Sequence, residues 1–343
     1  MRRFEHGGDI YTHPGVLDFS ANLNPLGIPA RVRAVLQESV DAYAAYPDPH
    51  CRTLVHAIAA AEGVDERFVQ ATSGATDAIT RLCRALRPRR ALLAAPCYSG
   101  YEQALEQMDA EVVWHDLRRE DGFALTEMVL DRIDESVDVV FLANPNNPTG
   151  RCIPRELLLA CLERARAADV LVVLDECFVD LTEHTGSADL VAHHQNLVIV
   201  KAHTKSYALA GLRVGYALSS NTDLLTAMAA VAQPWAVSVP AQLAGAACLE
   251  EQDYLSRSRA VVARERTRMK DALESLGLMV IPGEANYLLF EGPEGLADEL
   301  LVQRILVRRC DNFRGLGAQW YRVAVRTASE NEQLMTALRE VCA

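Results

Sequence analysis

The sequence predicts an α/β protein, with a mostly parallel sheet in a large domain and a smaller α+β domain. Short apolar runs such as residues 139–142 and 171–174 are typical of buried strands, and they alternate with segments of helical periodicity. This alternation predicts a parallel sheet with helices on both faces. The 343 residues also exceed the roughly 250 to 300 at which one core stops growing, so two domains are expected.

The individual elements follow from the same patterns. In the large domain we predict helices over residues 30–44, 51–62, 78–86, 124–133 and 154–168, and strands over 68–71, 91–94, 112–114, 138–143, 170–174 and 197–200. Farther on we predict one long helical stretch from 239 to 276, strands over 287–290, 305–307 and 321–325, and a last helix from about 330. The predicted division is an N-terminal arm partly in the small domain (1–30), a large domain (31–238) and a small domain (239–343).

Composition and charge narrow the class of protein. A net charge of −12 argues against nucleic acid as a partner. No run approaches the roughly 18 apolar residues of a membrane span, and no signal-peptide pattern opens the chain, so we expect a cytoplasmic protein without a membrane partner. The nine cysteines include no CxxC motif or Cys/His cluster, and we predict free thiols, with neither disulfides nor a metal site.

Lys205 is the first candidate for chemistry. It follows the apolar run 197–200, which predicts a position at the end of a buried strand. An amine near apolar surface loses its proton more easily than one in water, and the neutral amine can form a Schiff base with a carbonyl group. Arg213 lies eight residues later and suits a phosphate or carboxylate. Taken singly, a solvated strand-end lysine and a surface arginine are the plainer interpretation.

Two further strand ends favour the chemical interpretation. Asp175 follows the buried run 171–174, at the end where open α/β sheets place ligand groups, and its carboxylate can pair with a cationic ring nitrogen. The run 139–142 leads into the sequence NPNNPTG at residues 144–150. Two prolines and a glycine predict a fixed turn there, which would project Asn147 rigidly.

The order NPNNPTG, then a strand with Asp175, then a strand with Thr204-Lys205 and GLRVGY at 211–216, resembles the fold-type I pyridoxal-phosphate enzymes. Within that group the chain resembles the branch of histidinol-phosphate aminotransferases and threonine-phosphate decarboxylases. The resemblance spans nearly the whole chain. It implies pyridoxal 5′-phosphate as cofactor, bound covalently by Lys205, with Asp175 at the pyridine nitrogen and Asn147 at the phenolate oxygen.

The resemblance also implies a site for the cofactor phosphate. The strand, small-residue turn and helix start at Thr72-Ser73-Gly74-Ala75-Thr76 would direct free backbone N–H groups at an anion. Capping of the helix is the simpler role for these residues. In the family this turn holds the phosphate, together with the residues at Thr204 and Arg213. One departure is Ala202, where the family commonly carries Ser or Thr.

Aromatic residues are assigned in the same way. Tyr98 matches the aromatic side chain that stacks on the cofactor ring, although a core tyrosine is the alternative. Tyr46, in the turn YPDP, matches a tyrosine that reaches the cofactor phosphate of the neighbouring subunit. The resemblance therefore implies a homodimer with shared active sites.

The amino terminus resembles the decarboxylases more than the aminotransferases, through HGGD at 6–9 and DFSANLNPLG at 18–27. It implies that His6 contacts the substrate phosphate of the neighbouring subunit and that Asn22 lies against the substrate carboxylate. Near the carboxyl end, Arg322 matches the arginine that grips the substrate carboxylate. Arg326 lies four residues on, which on a strand predicts the same face, and we assign it to the substrate phosphate.

This resemblance favours a decarboxylase that acts on a small phosphorylated amino acid, L-threonine O-phosphate, with phosphoserine as the alternative substrate. An aminotransferase such as the histidinol-phosphate enzyme shares every cofactor residue and is the second hypothesis. The third is a ligand-binding protein without activity, which the retention of Lys205, Asp175, Asn147 and Arg213 disfavours.

Overall fold

The structure, a computed structural model, describes residues 6–342. Within this range the strands β1 to β13 are, in order, Leu17–Asp18, Val69–Thr72, Arg90–Ala95, Glu111–Asp116, Val139–Ala143, Leu171–Asp175, Leu197–Ala202, Gly215–Leu218, Met279–Val280, Tyr287–Glu291, Ile305–Leu306, Arg308–Arg309 and Trp320–Ala324. The helices α1 to α11 are Ala30–Glu38, Arg52–Glu62, Ala75–Leu86, Gly100–Glu106, Arg155–Ala167, His203–Ser206, Thr222–Ala230, Val239–Leu249, Gln252–Ser275, Leu296–Val302 and Ala328–Val341.

A seven-stranded sheet forms the large domain, in the order β2-β8-β7-β6-β5-β3-β4. Strand β8 runs antiparallel to both of its neighbours, β2 and β7, and the other pairs in the sheet are parallel. The central strands are apolar along their length because helices cover both faces, and Val140, Val172 and Ile199 are completely buried. Each such side chain contributes about 1.5 to 3 kcal/mol by burial. The predicted α/β class with a mostly parallel sheet is confirmed.

The small domain is built on the antiparallel sheet β12-β13-β10-β9. Strand β1, near the amino end, pairs in parallel with β11 through Leu17 and Ile305. Phe19 is completely buried in the same apolar cluster as Phe290 and Leu334. The amino-terminal segment therefore packs against the small domain before it continues towards the sheet of the large one.

Several element boundaries differ from the predictions. The predicted helix 30–44 ends at Glu38 and continues as a 3₁₀ turn, Val40–Ala44, and the predicted helix 124–133 is a 3₁₀ segment, Glu127–Arg132. The predicted long helix from 239 is two helices, α8 and α9. Helix α8 buries Ala244 and Cys248 in the core of the large domain, and this packing favours a domain division later than residue 238. The domain division itself stays a prediction.

Among residues 6–342, the helices are all too short or too polar to cross a bilayer.

Candidate active site

A cavity of about 230 Å³ opens at the carboxyl ends of the central strands, where the small domain and the amino-terminal segment cover the sheet. It brings together most of the predicted site residues: His6, Asn22, Ala75, Thr76, Tyr98, Asn147, Asp175, Thr204, Lys205, Arg213 and Arg322. Gly74 adjoins this set through Arg213. Tyr46 and Arg326 do not line the cavity.

Lys205 lies on the short helix α6, directly after β7. Its Nζ lies 5.8 Å from the centre of the Phe178 ring, on an apolar side of the cavity. Burial, followed by the positive charge of Arg322, lowers the pKa of Lys205 to about 8. Far more of this amine is therefore neutral near physiological pH than of an ordinary lysine, and the neutral form is the nucleophile.

Residues that the sequence analysis did not identify hold α6 in place. Ser206 donates to Asp180 at 2.8 Å, and the other oxygen of Asp180 lies 3.0 Å from Nζ of the buried Lys201. On the opposite side, the backbone N–H of Asn24 donates to the Lys205 carbonyl at 3.1 Å, and its side-chain amide donates to the Ser206 carbonyl at 2.7 Å. The Lys205 backbone is thus fixed from two directions. No local sequence pattern indicated these contacts, which join distant segments.

Asp175 ends strand β6, and its carboxylate is held by two donors. The Tyr101 hydroxyl donates to one oxygen at 2.6 Å, and the backbone N–H of Cys177 donates to the other at 2.9 Å. Burial and then the charge of Asp175 raise the pKa of Tyr101 well above its usual value, so Tyr101 remains a donor. The carboxylate is therefore fixed at the floor of the cavity.

The turn at residues 144–150 uses its asparagines in different ways. The Asn144 side chain accepts a backbone N–H at 2.9 Å, and the Asn146 amide donates to the Pro96 carbonyl at 3.0 Å. Both side chains therefore hold the turn in place and do not face the cavity. Asn147 instead lines the cavity, and its carbonyl oxygen accepts a hydrogen bond from Arg322.

One corner of the cavity is suited to an anion. Helix α3 begins at Ala75, so its first N–H groups lack partners within the helix and point towards this corner. Gly74 has a φ of +83°, and a Cβ there would lie 2.8 Å from a guanidinium nitrogen of Arg213. The glycine is thus required both for the backbone conformation and for the close approach of Arg213.

Tyr98 and Thr76 line the cavity beside this corner, with their hydroxyl oxygens 3.3 Å apart. The Tyr98 ring packs edge-on against Tyr101, with 5.5 Å between ring centres. Thr204, at the start of α6, also lines the cavity, and Ala202 presents a methyl group where the family commonly has a hydroxyl. Thr76, Tyr98, Ser99 and Thr204 therefore supply hydroxyl groups to the cavity.

The amino-terminal segment closes the cavity. Gly7 lies so close to Ser20 that a Cβ would be 2.3 Å from its carbonyl oxygen, which only glycine permits. His6 consequently lies over Tyr98, with 5.6 Å between ring centres. The sequence analysis assigned His6 to the neighbouring subunit, whereas the structure places it in the cavity of its own chain. Asn22 is completely enclosed, and its side-chain oxygen has no hydrogen-bond partner within residues 6–342.

Arg322 lies on β13 and is 6% exposed. One nitrogen donates to Asn147 and another to the Ser20 carbonyl at 3.0 Å, while its Nε is buried and unbonded within the described chain. Arg308, on the neighbouring strand β12 and directly paired with Arg322 in register, also lines the cavity. The sequence analysis did not include Arg308 in the site.

Arg326 lies elsewhere. Strand β13 ends at Ala324, so the strand alternation that was used to place Arg326 beside Arg322 does not reach it. Its guanidinium donates to the Asp18 carbonyl at 2.9 Å and pairs with Glu330 in the first turn of α11. The predicted contact of Arg326 with a substrate phosphate has no support in this geometry, whereas Arg308 lines the cavity.

Tyr46 is 79% exposed and stacks on Trp235, with 4.5 Å between ring centres. Its predicted contact requires a second copy of the chain and stays a prediction.

Pyridoxal 5′-phosphate fits the residues of this cavity. Three groups surround the cavity: a reactive amine, a fixed carboxylate, and a helix start with an arginine, where Gly74 keeps the space open. Each has a counterpart on the cofactor. The amine matches its carbonyl carbon, the carboxylate its ring nitrogen, and the helix start with the arginine its phosphate. Lys205, Asp175 and Arg213 with the start of α3 would hold these three groups, and Tyr98 would face the ring. The unbonded Asn22 oxygen and Arg322 Nε leave one acceptor and one donor for further polar ligand groups.

The fold and the cavity together define a lysine-dependent enzyme with a bound carbonyl cofactor. The chain belongs to the aminotransferase class I and II family, whose model matches residues 14–338, and it is a pyridoxal-phosphate enzyme.

Similar proteins agree with this placement. A threonine-phosphate decarboxylase of Salmonella typhimurium is 36% identical over 98% of this chain and 96% of its own. An adenosylcobalamin biosynthesis bifunctional protein of Leptospira interrogans is 29% identical over 98% of this chain and 41% of its own. The solved histidinol-phosphate aminotransferase of Clostridium acetobutylicum superposes with a TM-score of 0.90 at 28% identity, covering 95% of this chain and 99% of that one.

We predict that cofactor loading depends on pH through Lys205. Only the neutral amine reacts, so the rate constant for pyridoxal phosphate uptake by cofactor-free protein should rise with pH, with its midpoint near 8. In Arg322→Ala the loss of a nearby positive charge should raise the pKa of Lys205 and move the midpoint to higher pH. Stopped-flow absorbance at constant ionic strength measures this midpoint.

The matched controls are Arg322→Lys, which keeps the positive charge, and Arg326→Ala, which removes a guanidinium that is paired with Glu330. Neither should move the midpoint substantially. The same midpoint in Arg322→Ala and in the unmodified protein would contradict this account of the lysine.

Proposed function

We propose that this enzyme decarboxylates L-threonine O-phosphate to (R)-1-amino-2-propanol O-phosphate and carbon dioxide, as a step in cobalamin biosynthesis. The observation that carries the proposal is the pair of arginines at the cavity, Arg322 and Arg308, on adjacent strands with His6 opposite. Two separate cationic groups suit a single substrate that carries both a carboxylate and a phosphate. The similar decarboxylase and cobalamin proteins support the same choice.

In this proposal Arg322 holds the substrate carboxylate, with the enclosed amide of Asn22 beside it, and Arg308 and His6 hold the phosphate. His6 is suited to this position electrostatically. Partial burial, then the charges of Arg308 and Arg322, lower its pKa, and an arriving phosphate dianion would reverse that effect. The phosphate would therefore recruit His6 as a charged third contact.

The bound cofactor supplies an electron sink for the electron pair left at Cα when the bond to the carboxylate breaks. Asp175 stabilises positive charge at the floor of the cavity, where two hydrogen bonds hold its carboxylate. Nζ of Lys205 then donates a proton to Cα, so a C–H bond replaces the C–C bond that was lost.

Incubation of the holoenzyme with L-threonine O-phosphate, without any keto acid, tests the proposal. Release of carbon dioxide and of the amine phosphate, followed by mass spectrometry over many turnovers, is the expected result. An aminotransferase would instead convert histidinol phosphate once 2-oxoglutarate is present. That outcome, with no carbon dioxide from threonine phosphate, would establish the alternative function.

A second prediction separates the two candidate phosphate contacts. Arg308→Ala should raise KM for threonine O-phosphate about 10- to 100-fold, because a charged hydrogen bond is lost. Arg326→Ala should leave KM nearly unchanged and should lower the melting temperature, since it removes the contacts to Asp18 and Glu330. Steady-state kinetics of both variants decide the assignment. A larger KM effect in Arg326→Ala would restore the role that was inferred from sequence.

We also propose a homodimer in the cytoplasm. The exposed stacked pair of Tyr46 and Trp235 supports a partner surface. All nine cysteines are free thiols, which supports a reducing compartment. Sedimentation at several protein concentrations measures the assembly, and an active monomer would exclude a shared active site.

A further inference from the structure

Three side chains with metal-binding atoms meet at the junction of the two domains, outside the active-site cavity. Cys152, His184 and Glu284 each offer one ligand atom, and these atoms all lie within 4.8 Å of one another. They come from three separate segments, and His184 and Glu284 are 100 positions apart. No sequence motif therefore indicates this group. The expectation of no metal site was based only on the spacing of cysteines and histidines along the sequence.

The contacts around the group fix two of its members. The backbone N–H of Glu284 donates to the Gly150 carbonyl at 2.7 Å, and the backbone N–H of Cys152 approaches the Glu284 carboxylate at 3.4 Å. The His184 ring nitrogen Nε2 already bonds to the other carboxylate oxygen of Glu284. A ligand set held in this way needs little ordering when an ion binds.

The distances suit a small cation. With Zn–S near 2.3 Å and Zn–N or Zn–O near 2.0 to 2.2 Å, ligand atoms of a tetrahedral zinc site lie roughly 3.3 to 3.7 Å apart. Small side-chain rotations bring atoms within 4.8 Å to that separation. The His184 and Glu284 side chains are 47% and 39% exposed, so an ion has access from solvent and a water molecule can complete the tetrahedron.

The donor set also selects the metal. A thiolate, an imidazole and a carboxylate suit zinc or cobalt, whereas magnesium and calcium prefer oxygen ligands alone. Two positive charges lie near the group and reduce its affinity for cations, those of Arg151 and Arg266. Both guanidinium groups donate to backbone carbonyls of the same loop, Arg151 to Pro282 at 2.8 Å and Arg266 to Glu284 at 2.5 Å, so they orient the loop rather than occupy the carboxylate.

We infer that Cys152, His184 and Glu284 form a zinc-binding site that joins the small domain to the end of the turn carrying Asn147. Glu284 precedes strand β10, whose Tyr287 hydroxyl donates to the Asn146 carbonyl at 2.8 Å. A bound ion would add a second connection between the same two segments. Its effect is therefore to restrain the small domain against the cofactor-binding turn.

The test uses the holoenzyme after treatment with a chelator. Titration with zinc chloride against a chromophoric chelator should show one tight site per chain. Cys152→Ser, His184→Ala and Glu284→Gln should each weaken it by at least about 100-fold, since they remove ligands rather than outer contacts. The matched controls Cys342→Ser and His193→Ala replace a cysteine and a histidine outside the group and should bind like the unmodified protein.

Two further readouts are independent of catalysis. Cobalt(II) should produce a thiolate-to-metal absorption band in the difference spectrum, which Cys152→Ser loses. Zinc at about 100 times its Kd should raise the melting temperature by about 3 °C or more in the unmodified protein, but not in the three ligand variants. Absence of a tight site, or equal zinc affinity in the ligand variants and the controls, would overturn the inference. Neither result depends on which substrate the enzyme decarboxylates.

Discussion

Replacing Lys205 with alanine is expected to abolish decarboxylation, with kcat at least about 10⁴-fold lower. The side chain has two roles in the proposal, covalent attachment of the cofactor and proton return to Cα, and both are lost together. The contacts that anchor α6, from Asp180 to the Ser206 hydroxyl and from Asn24 to the Ser206 carbonyl, do not involve Nζ of Lys205, so the fold should survive. Carbon dioxide release and circular dichroism measure the two consequences.

Borohydride reduction gives a separate readout of attachment. After reduction, the unmodified protein should carry the mass of the cofactor on the peptide that contains Lys205, and the variant should carry none. Lys270→Ala is the matched control, because Lys270 lies on the surface and pairs with Glu274 at 2.8 Å. If Lys205→Ala were still labelled, or still turned over substrate within tenfold of the unmodified rate, Lys205 would not be the reactive amine.

The cofactor-facing residues were predictable because each follows a buried strand of one parallel sheet. The apolar runs before Asn147, Asp175 and Lys205 indicated neighbouring strands, and the carboxyl ends of such strands meet at one edge. The structure gathers these three side chains there. Their individual roles rest on the family resemblance, since spacing alone specifies neither a cofactor nor a reaction.

The substrate side was less predictable because it depends on how the small domain packs. Alternation along a strand places Arg322 correctly, but the strand ends two residues before Arg326, whose partner Glu330 lies on the next helix. Arg308 reaches the cavity only because β12 pairs with β13. The pairing of strands that are distant in sequence cannot be obtained from either strand alone.

Long-range contacts also explain the remaining differences. His6 lies over Tyr98 because Gly7 approaches Ser20, which is a contact between segments rather than a local propensity. The break between α8 and α9 separates a helix in the large-domain core from one that reaches the small domain. Helical periodicity continues across this break in the sequence, so the pattern predicted one long element.

Replacing Asp175 with asparagine is expected to reduce kcat about 10³-fold while leaving the cofactor attached. In the proposal the Asp175 carboxylate would stabilise positive charge at the ring nitrogen of the bound cofactor, which a neutral amide of the same shape cannot do, so the transition state would be less stable. Tyr101→Phe is the matched comparison, because it removes one hydrogen bond of 2.6 Å but keeps the charge. Its kcat should fall only about tenfold, the effect of one lost hydrogen bond.

Single-turnover release of carbon dioxide measures the chemical step in both variants, and borohydride labelling confirms that the cofactor is still attached through Lys205. The comparison separates charge from position, because both variants disturb the same contact and only one removes the carboxylate. If Asp175→Asn and Tyr101→Phe lost activity equally, the hydrogen bonds that fix the side chain would matter more than its charge. A rate for Asp175→Asn within tenfold of the unmodified enzyme would mean that a group other than Asp175 stabilises the carbanion. The arginines that line the cavity would be the next candidates.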